Sequence, residues 1–431
     1  MNLNHFDPSD ISPDVMVDRD DDVAWLGDKF ESYFDAIEQH TLDVTARRIV
    51  CVTGDKGIGK SILAAKVIQK LRGKYSASTL FVSVDCRSAN GARGVIASIA
   101  SGLLHEIAEF APVAAAGGKP FPSWIQELAS VLSNVAHADD ASRKIIQQQL
   151  IAKKATLKLG GQIMLRALKT EFDISLEREK RDIDALETTV KFDVERLLTL
   201  TIKLFEDLRG AGMRVFLLVD NVDELQHEYW DEDARKSTLA TVKTVLRLTD
   251  APIAMLLCMR TYFQTILPRA VGVPRQLEPL PEARLLEIVE HRVGLDAEHV
   301  QRAMRSDQAR AVINDLARRA TTPLALLTWV KWVAESKQGF AEPIGTHAEK
   351  WRGARYVDFA KVIKATLALF AAKLVAGEDS VTRQELLDAI GNNEDGFRYL
   401  QTTELILPRD FWNPTHFVLD PSTAWIVEPR G

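Results

Sequence analysis

Residues 48–61, RIVCVTGDKGIGKS, decide the fold of this chain. Arg48 to Thr53 is an apolar run that predicts a buried strand, and Ser61 to Leu71 has the apolar spacing of a helix. Between them stands the string G-x-x-x-x-G-K-S, which is informative only where it joins a strand to a helix, as it does here. We therefore expect the loop to bind phosphate through these residues: Gly54, Asp55, Lys56, Gly57, Ile58, Gly59, Lys60 and Ser61.

The residue types of this loop suit a nucleotide. Its glycines allow the backbone to curl with the N–H groups pointing inward, a shape that side chains would obstruct. The helix that follows presents its N-terminal amides and its dipole to phosphate oxygens. We expect Lys60 to reach the β and γ phosphates and the Ser61 hydroxyl to bind Mg²⁺. The predicted cofactors are therefore ATP or ADP with Mg²⁺.

Three further apolar runs predict the other strands of a parallel sheet. They are Thr79 to Asp85, Arg214 to Asp220 and Pro252 to Met259. Continuous apolar runs are typical of strands that helices cover on both faces. The predicted fold class is therefore α/β, with a P-loop parallel sheet flanked by helices.

Charged residues follow two of these strands. Asp220 ends one strand, at the place where a P-loop ATPase needs an acid to hold the metal shell, so we assign Asp220 and Ser61 to the metal. Glu224 or Asp223 could act as the general base for the attacking water, and the sequence leaves both open. Arg260 follows the next strand, where it could sense the γ phosphate or stabilise charge in the transition state.

Together these motifs resemble the STAND class of P-loop ATPases, the AAA+-related switch proteins that include the NACHT and NB-ARC groups. The resemblance implies that Arg19, in a V-x-R-x-x-E type string, and Pro323, in a G-x-P-L type string, lie near the adenine. Thr321 replaces the glycine of the second string, and Asn221 stands where AAA+ motors carry a glutamate. The likeness rests on these segments: Val17 to Asp22, Asp220 to Glu224, Met259-Arg260, Leu277 to Leu280 and Thr321 to Leu324.

The resemblance implies a slow ATP hydrolase that acts as a switch. Its ATP and ADP states would control oligomerisation, or the activation of a separate sensor or effector protein, with bacterial antiviral defence as the expected setting. The order of elements is also similar to archaeal origin-recognition initiators, so the alternative is a DNA-binding AAA+ ATPase of initiator or transposition-regulator type. A third possibility is a partner-binding scaffold in which nucleotide is a structural ligand.

The pattern along the chain predicts several domains. Three helices and a strand hairpin near the C-terminus suggest a winged helix, and Gly339 to Gly353 has the composition of a linker. The predicted divisions are a flexible leader at 1–16, an ATPase core at 17–277 with a helical insertion at about 91–212, a helical lid at 278–340 and a winged helix at 356–431.

Charge and composition limit the kinds of partner that we expect for this protein. A net charge of −6 gives no general attraction to nucleic acid, so any such contact requires a local patch. Arg143 to Lys169 carries seven basic residues and no acid. The third helix of the predicted winged-helix domain, Asp395 to Thr403, has only Arg398 as a base. We therefore expect a structural role for that helix. The N-terminus lacks an export signal and no apolar run is long enough to span a membrane, which predicts a cytoplasmic protein without a membrane partner.

Overall fold

The computed structural model describes residues 19–43, 45–89, 91–116, 194–225, 232–411, 414–421 and 423. The predicted leader at 1–16, the basic segment from Arg143 to Lys169 and most of the predicted insertion lie outside these residues. So does Ala424 to Val427, the second strand of the hairpin that the sequence predicts near the C-terminus.

A five-stranded parallel sheet forms the centre of the N-terminal part, in the order β2-β3-β4-β1-β5. The first four strands lie where the apolar runs predict them, although the fourth begins at Ala254, two residues later than expected, because Pro252 has no N–H for the ladder. The fifth was not predicted, since it is two polar residues long. The strands are β1 Arg48–Thr53, β2 Thr79–Asp85, β3 Arg214–Asp220, β4 Ala254–Met259 and β5 Arg275–Gln276.

Helices cover both faces of this sheet, which confirms the α/β fold class. Alternate residues of β3 point to opposite faces: Phe216 lies in one buried cluster and Leu217 in the other. The first cluster also includes residues of α1 Asp20–Glu38 and α2 Lys60–Tyr75. The second includes residues of α3 Gly91–Ala116, α4 Val194–Gly210 and α5 Glu232–Leu246, so the described ends of the predicted insertion belong to this layer.

A helical lid follows the sheet. Residues 339–353, which the sequence predicts as a linker, instead form a short 3-10 turn at Gly339–Ala341 and most of a helix. The linker prediction was wrong because this helix buries His347 and Trp351, and that burial outweighs the glycines and the proline of the segment. The helices of this part are α6 Glu282–Leu295, α7 Glu298–Met304, α8 Asp307–Arg319, α9 Pro323–Glu335 and α10 Ile344–Arg355.

The C-terminal part has the predicted winged-helix arrangement of three helices and a small antiparallel sheet in the order β6-β8-β7. The strand His416–Leu419 pairs with two strands that the sequence analysis did not identify. The elements are α11 Ala360–Val375, β6 Val381–Thr382, α12 Arg383–Ala389, α13 Glu394–Thr402, β7 Ile406–Pro408 and β8 His416–Leu419.

The lid and the winged helix share one hydrophobic cluster, separate from the two clusters of the sheet. Trp329 of α9 is fully buried in it, together with Phe370 of α11 and Phe417 of β8. Phe411, in the loop between β7 and β8, instead enters a cluster of the sheet, where its ring centroid lies 4.4 Å from that of Phe263. The winged helix is thus packed on the lid and also contacts the core.

None of the helices among the described residues is long and apolar enough to cross a lipid bilayer. Cys51, Cys86 and Cys258 are free and buried, and burial raises the pKa of each thiol.

We expect Trp329→Ala to lower the free energy of unfolding by about 3–5 kcal/mol, because it leaves a cavity in the cluster that joins the lid and the winged helix. Urea denaturation followed by circular dichroism measures the change. Val357, which is 75% exposed, provides the control, since Val357→Ala removes little buried surface. Equal midpoints for the two variants would contradict the assignment of Trp329 to a shared core.

Candidate nucleotide site

The phosphate loop lies between the end of β1 and the start of α2, at the carboxyl edge of the sheet. Gly57 and Gly59 have φ angles of 77° and 106°, in the left-handed region that side chains disfavour. A Cβ atom on Gly59 would meet no atom within 4 Å, so this glycine serves the backbone conformation, not close packing. The local geometry is that of the loop predicted from the sequence.

Lys60 is buried at the first position of α2. Its Nζ donates to the carbonyl oxygens of Gly54 at 2.9 Å and Asp55 at 3.0 Å. Burial lowers the pKa of Lys60, while the charge of Asp223 acts to raise it. The loop thus holds the ammonium group over its own backbone, within the turn that the phosphates are expected to enter.

Asp220 and Ser61 meet at the end of β3. The Asn221 backbone N–H donates to Asp220 Oδ1 at 2.9 Å, and the Ser61 hydroxyl is close enough to influence the carboxyl group. Burial raises the pKa of Asp220, although the Ser61 hydroxyl, the charge of Lys60 and the Asn221 N–H all act to lower it. A carboxylate and a hydroxyl supply the oxygen ligands that Mg²⁺ prefers, so the residues present fit this metal.

Asp223 is bound on both carboxylate oxygens by Arg260. The Arg260 backbone N–H donates to Asp223 Oδ1 at 2.8 Å, and Arg260 Nε lies 3.0 Å from Asp223 Oδ2. Both side chains are almost fully buried, with exposures of 2% for Asp223 and 4% for Arg260. This geometry leaves Asp223 little capacity to accept a proton from water.

Glu224 has a different environment from Asp223. Arg260 Nη2 contacts Glu224 Oε1 at 3.1 Å, and the Glu224 side chain is 16% exposed. Both acids lie in the 3-10 turn Val222–Glu224 after β3, and the left-handed conformation of Asn221 leads the chain into this turn. Of the two candidate bases, Glu224 is the one that water can reach.

Asn221 and Asp85 connect the ends of β3 and β2. Asn221 Nδ2 donates to Asp85 Oδ1 at 2.9 Å, and Arg87 forms several hydrogen bonds with the same carboxylate. The sequence analysis did not identify Asp85 or Arg87 as part of this edge. The parallel register that pairs Asp85 with Asp220 could have indicated it once the neighbouring strands were known.

Arg19 contacts the loop directly, whereas Pro323 stands next to a residue that does. Arg19 Nη2 donates to the carbonyl oxygens of Ile58 at 3.2 Å and Glu278 at 2.9 Å. Pro323 is the first residue of α9, where Thr322 caps the helix. Contact with the loop is made by the next residue, Leu324, whose backbone N–H donates to the Gly57 carbonyl oxygen at 3.3 Å.

Glu404, from the winged helix, completes the site and was missed by the sequence analysis. One carboxylate oxygen contacts Arg260 Nη2 at 3.2 Å and the other contacts Lys56 Nζ. Burial alone would raise the pKa of Glu404, but the charges of Arg260 and Lys56 outweigh it and lower the pKa to about 2. No local sequence pattern indicates this contact.

We expect Asp223→Asn to destabilise the protein by about 3–5 kcal/mol, because it leaves the buried Arg260 charge without its closest partner. Thermal and urea denaturation measure the change. The control is Asp233→Asn, which alters an exposed acid on α5. A stability equal to that of the control would show that Asp223 is not the anchor of Arg260.

Comparisons with known proteins identify similar regions and folds. Residues 35–158, which include the whole phosphate loop, match the family model described as Nephrocystin 3, N-terminal. No curated protein sequence matches the chain.

Among solved structures, the chain is similar to the ORC1 protein of Aeropyrum pernix in complex with DNA, with 12% identity and a TM-score of 0.48 over 99% of this chain and 96% of that one. It is also similar to Cdc6p of Pyrobaculum aerophilum, with 12% identity and a TM-score of 0.42 over 99% and 97%. The ORC2 protein of Aeropyrum pernix, in ADPNP and ADP complexes, gives 11% identity and a TM-score of 0.43 over 99% and 96%.

Proposed function

We propose that the protein is a P-loop ATPase, resembling AAA+-related proteins, that binds and slowly hydrolyses ATP and changes conformation with the bound nucleotide. The observation that carries this proposal is the convergence of Lys60, the Ser61–Asp220 pair and Arg260 at one edge of the parallel sheet. The match of residues 35–158 to the nephrocystin family model, which includes the loop, supports it.

The residues of the loop account for nucleotide binding. Its inward backbone N–H groups and the start of α2 would bind phosphate oxygens. Lys60 would exchange the carbonyl oxygens of Gly54 and Asp55 for phosphate, a stronger partner for a buried ammonium group. Ser61 and Asp220 would hold Mg²⁺, which when bound neutralises charge on the phosphates.

For hydrolysis, the geometry favours Glu224 as the general base. A general base must reach the proton that it abstracts, and Glu224 is the more exposed of the two candidate acids. Asp223 would instead hold Arg260 in place. Arg260, which carries its charge at all relevant pH values, would stabilise the charge that develops in the transition state.

A switch requires that the nucleotide site influence the rest of the molecule. The lid contacts the loop through Leu324 and Gly57, and the winged helix contacts it through Glu404 and Lys56. We propose that the core at 17–277, the lid at 278–340 and the winged helix at 356–431 change their arrangement with nucleotide. The consequence would be homo-oligomerisation or the activation of a separate partner. A role in antiviral defence stays a prediction from the family resemblance.

The second candidate function is a DNA-binding ATPase of initiator type. The C-terminal winged helix favours it, because such domains can place their third helix in a DNA groove. That helix, α13, bears the exposed acids Glu394 and Asp395 beside Arg398, which opposes contact with phosphates. Salt-dependent binding of duplex DNA, and assembly that requires DNA, would favour this candidate; assembly driven by ATP alone would favour the switch.

We expect Lys60→Ala to abolish detectable ATP binding, because it removes the charge that the loop directs at the phosphates. Isothermal titration calorimetry with ATP and Mg²⁺ measures the affinity. Lys66→Ala, on the same helix but outside the loop, is the matched control and should bind as the wild type does. Retained affinity in Lys60→Ala would remove the assignment of the phosphate site.

Glu224→Gln should bind ATP but hydrolyse it at least about tenfold more slowly, a loss of roughly 1.4 kcal/mol or more of transition-state stabilisation, since an amide cannot accept the proton. Phosphate release under single-turnover conditions measures the rate. Glu232→Gln changes an exposed acid of α5 in the same way and should leave the rate unchanged. An unaltered rate in Glu224→Gln would assign the base elsewhere.

A further inference from the structure

Glu404 occupies an unusual position in the winged helix. It lies in the turn between α13 and β7 with a φ of 53°, a left-handed conformation that is uncommon for residues other than glycine. Such conformations persist where the surrounding structure holds them, and they cluster at functional sites. The turn is fixed by its own backbone: the N–H groups of Glu404 and Leu405 donate to the carbonyl oxygens of Gln401 and Leu400.

The contacts of Glu404 lie on another part of the molecule. Its carboxylate bridges Lys56, within the phosphate loop, and Arg260, at the end of β4. Lys56 belongs to the loop that the proposed function assigns to the phosphates, and Arg260 is the group that it assigns to the charge of the transition state. Glu404 is therefore an anion of the protein itself that contacts two cations, Lys56 and Arg260, at the proposed nucleotide site.

The Glu404 carboxylate is ionised at neutral pH. Burial acts to raise its pKa, but Arg260 and Lys56 lower it to about 2. Protonation of Glu404 therefore cannot break its contacts at neutral pH. An anion that competes for Lys56 and Arg260 can break them.

A second contact keeps Glu404 near the site without depending on charge. Phe411 follows β7 and is fully buried in the hydrophobic cluster of the sheet, next to Phe263. Since apolar packing does not depend on charge, this contact would keep the winged helix near the sheet even if the ionic contact were broken.

We propose that Glu404 determines how many phosphates the site accepts: its carboxylate engages Lys56 and Arg260 in place of a third phosphate, so that the docked winged helix is compatible with a nucleoside diphosphate and opposes a triphosphate. Binding of a triphosphate then requires Glu404 to leave these cations, because its carboxylate and the third phosphate would compete for them and repel each other at close range. The inference rests on the proposed function and names the residue that would report the state of the nucleotide.

The test compares the affinities of ADP and of a non-hydrolysable β,γ-imido ATP analogue, both with Mg²⁺, by isothermal titration calorimetry on the full chain. Glu404→Gln, which keeps the size of the side chain and removes its charge, should raise the affinity for the analogue relative to ADP at least about fivefold, the lower end of typical couplings between sites. Glu404→Asn, whose side chain tolerates the left-handed conformation, is a second variant that also removes the charge. Both should show the same change.

Glu394→Gln is the matched control, because it neutralises an exposed acid of the same domain that pairs with Arg383. It should leave both affinities unchanged. An equal change of both affinities in the Glu404 variants, or no change, would overturn the inference while leaving the proposed function intact. Failure of the wild-type protein to bind either nucleotide would overturn the proposed function and this inference with it.

Discussion

The Arg260 guanidinium is the group on which the arrangement of the site depends. It is almost fully buried and contacts carboxylates of Asp223, Glu224 and Glu404 at 3.0 to 3.2 Å. Since removing a charge from water costs several kcal/mol, a buried guanidinium is stable only where such partners surround it. Two of the partners follow β3 and the third belongs to the winged helix. One cation therefore fixes the end of one strand against the next and draws the C-terminal domain to the core.

The phosphate loop is the second meeting point. Its Gly57 carbonyl oxygen accepts from the Leu324 N–H of the lid, and a Cβ atom on Gly57 would clash with the Leu324 side chain. Lys56 contacts Glu404, and the Ile58 carbonyl oxygen accepts from Arg19 ahead of α1. Because the same short loop is proposed to bind phosphate, a ligand there would act directly on groups that contact the lid and the winged helix. Such coupling would not require a chain of intervening residues.

The sequence predicted both ends of β1 and placed the start of α2 to within one residue, because an apolar strand, glycines in left-handed positions and a helix start are all local features. The end of α2, at Tyr75, lies four residues beyond the predicted end at Leu71. It failed for the segment from Gly339 to Gly353, where helix α10 buries Trp351 against partners distant in the chain. The sequence also did not distinguish Asp223 from Glu224 as the general base. In the structure Arg260 contacts both carboxylate oxygens of Asp223, whereas it contacts one oxygen of Glu224, which is the more exposed acid.

The sequence by itself therefore determined the kind of molecule: a parallel sheet, a phosphate loop, an acid and an arginine after neighbouring strands, and a winged helix, each marked by spacing within a short window. Tertiary structure alone decided that β4 lies between β1 and β3, which acid holds Arg260, and that Glu404 contacts Lys56 from 348 positions away. Contacts between side chains so distant in the chain follow from how domains pack, and packing across such separations leaves no periodic pattern in the residues that take part.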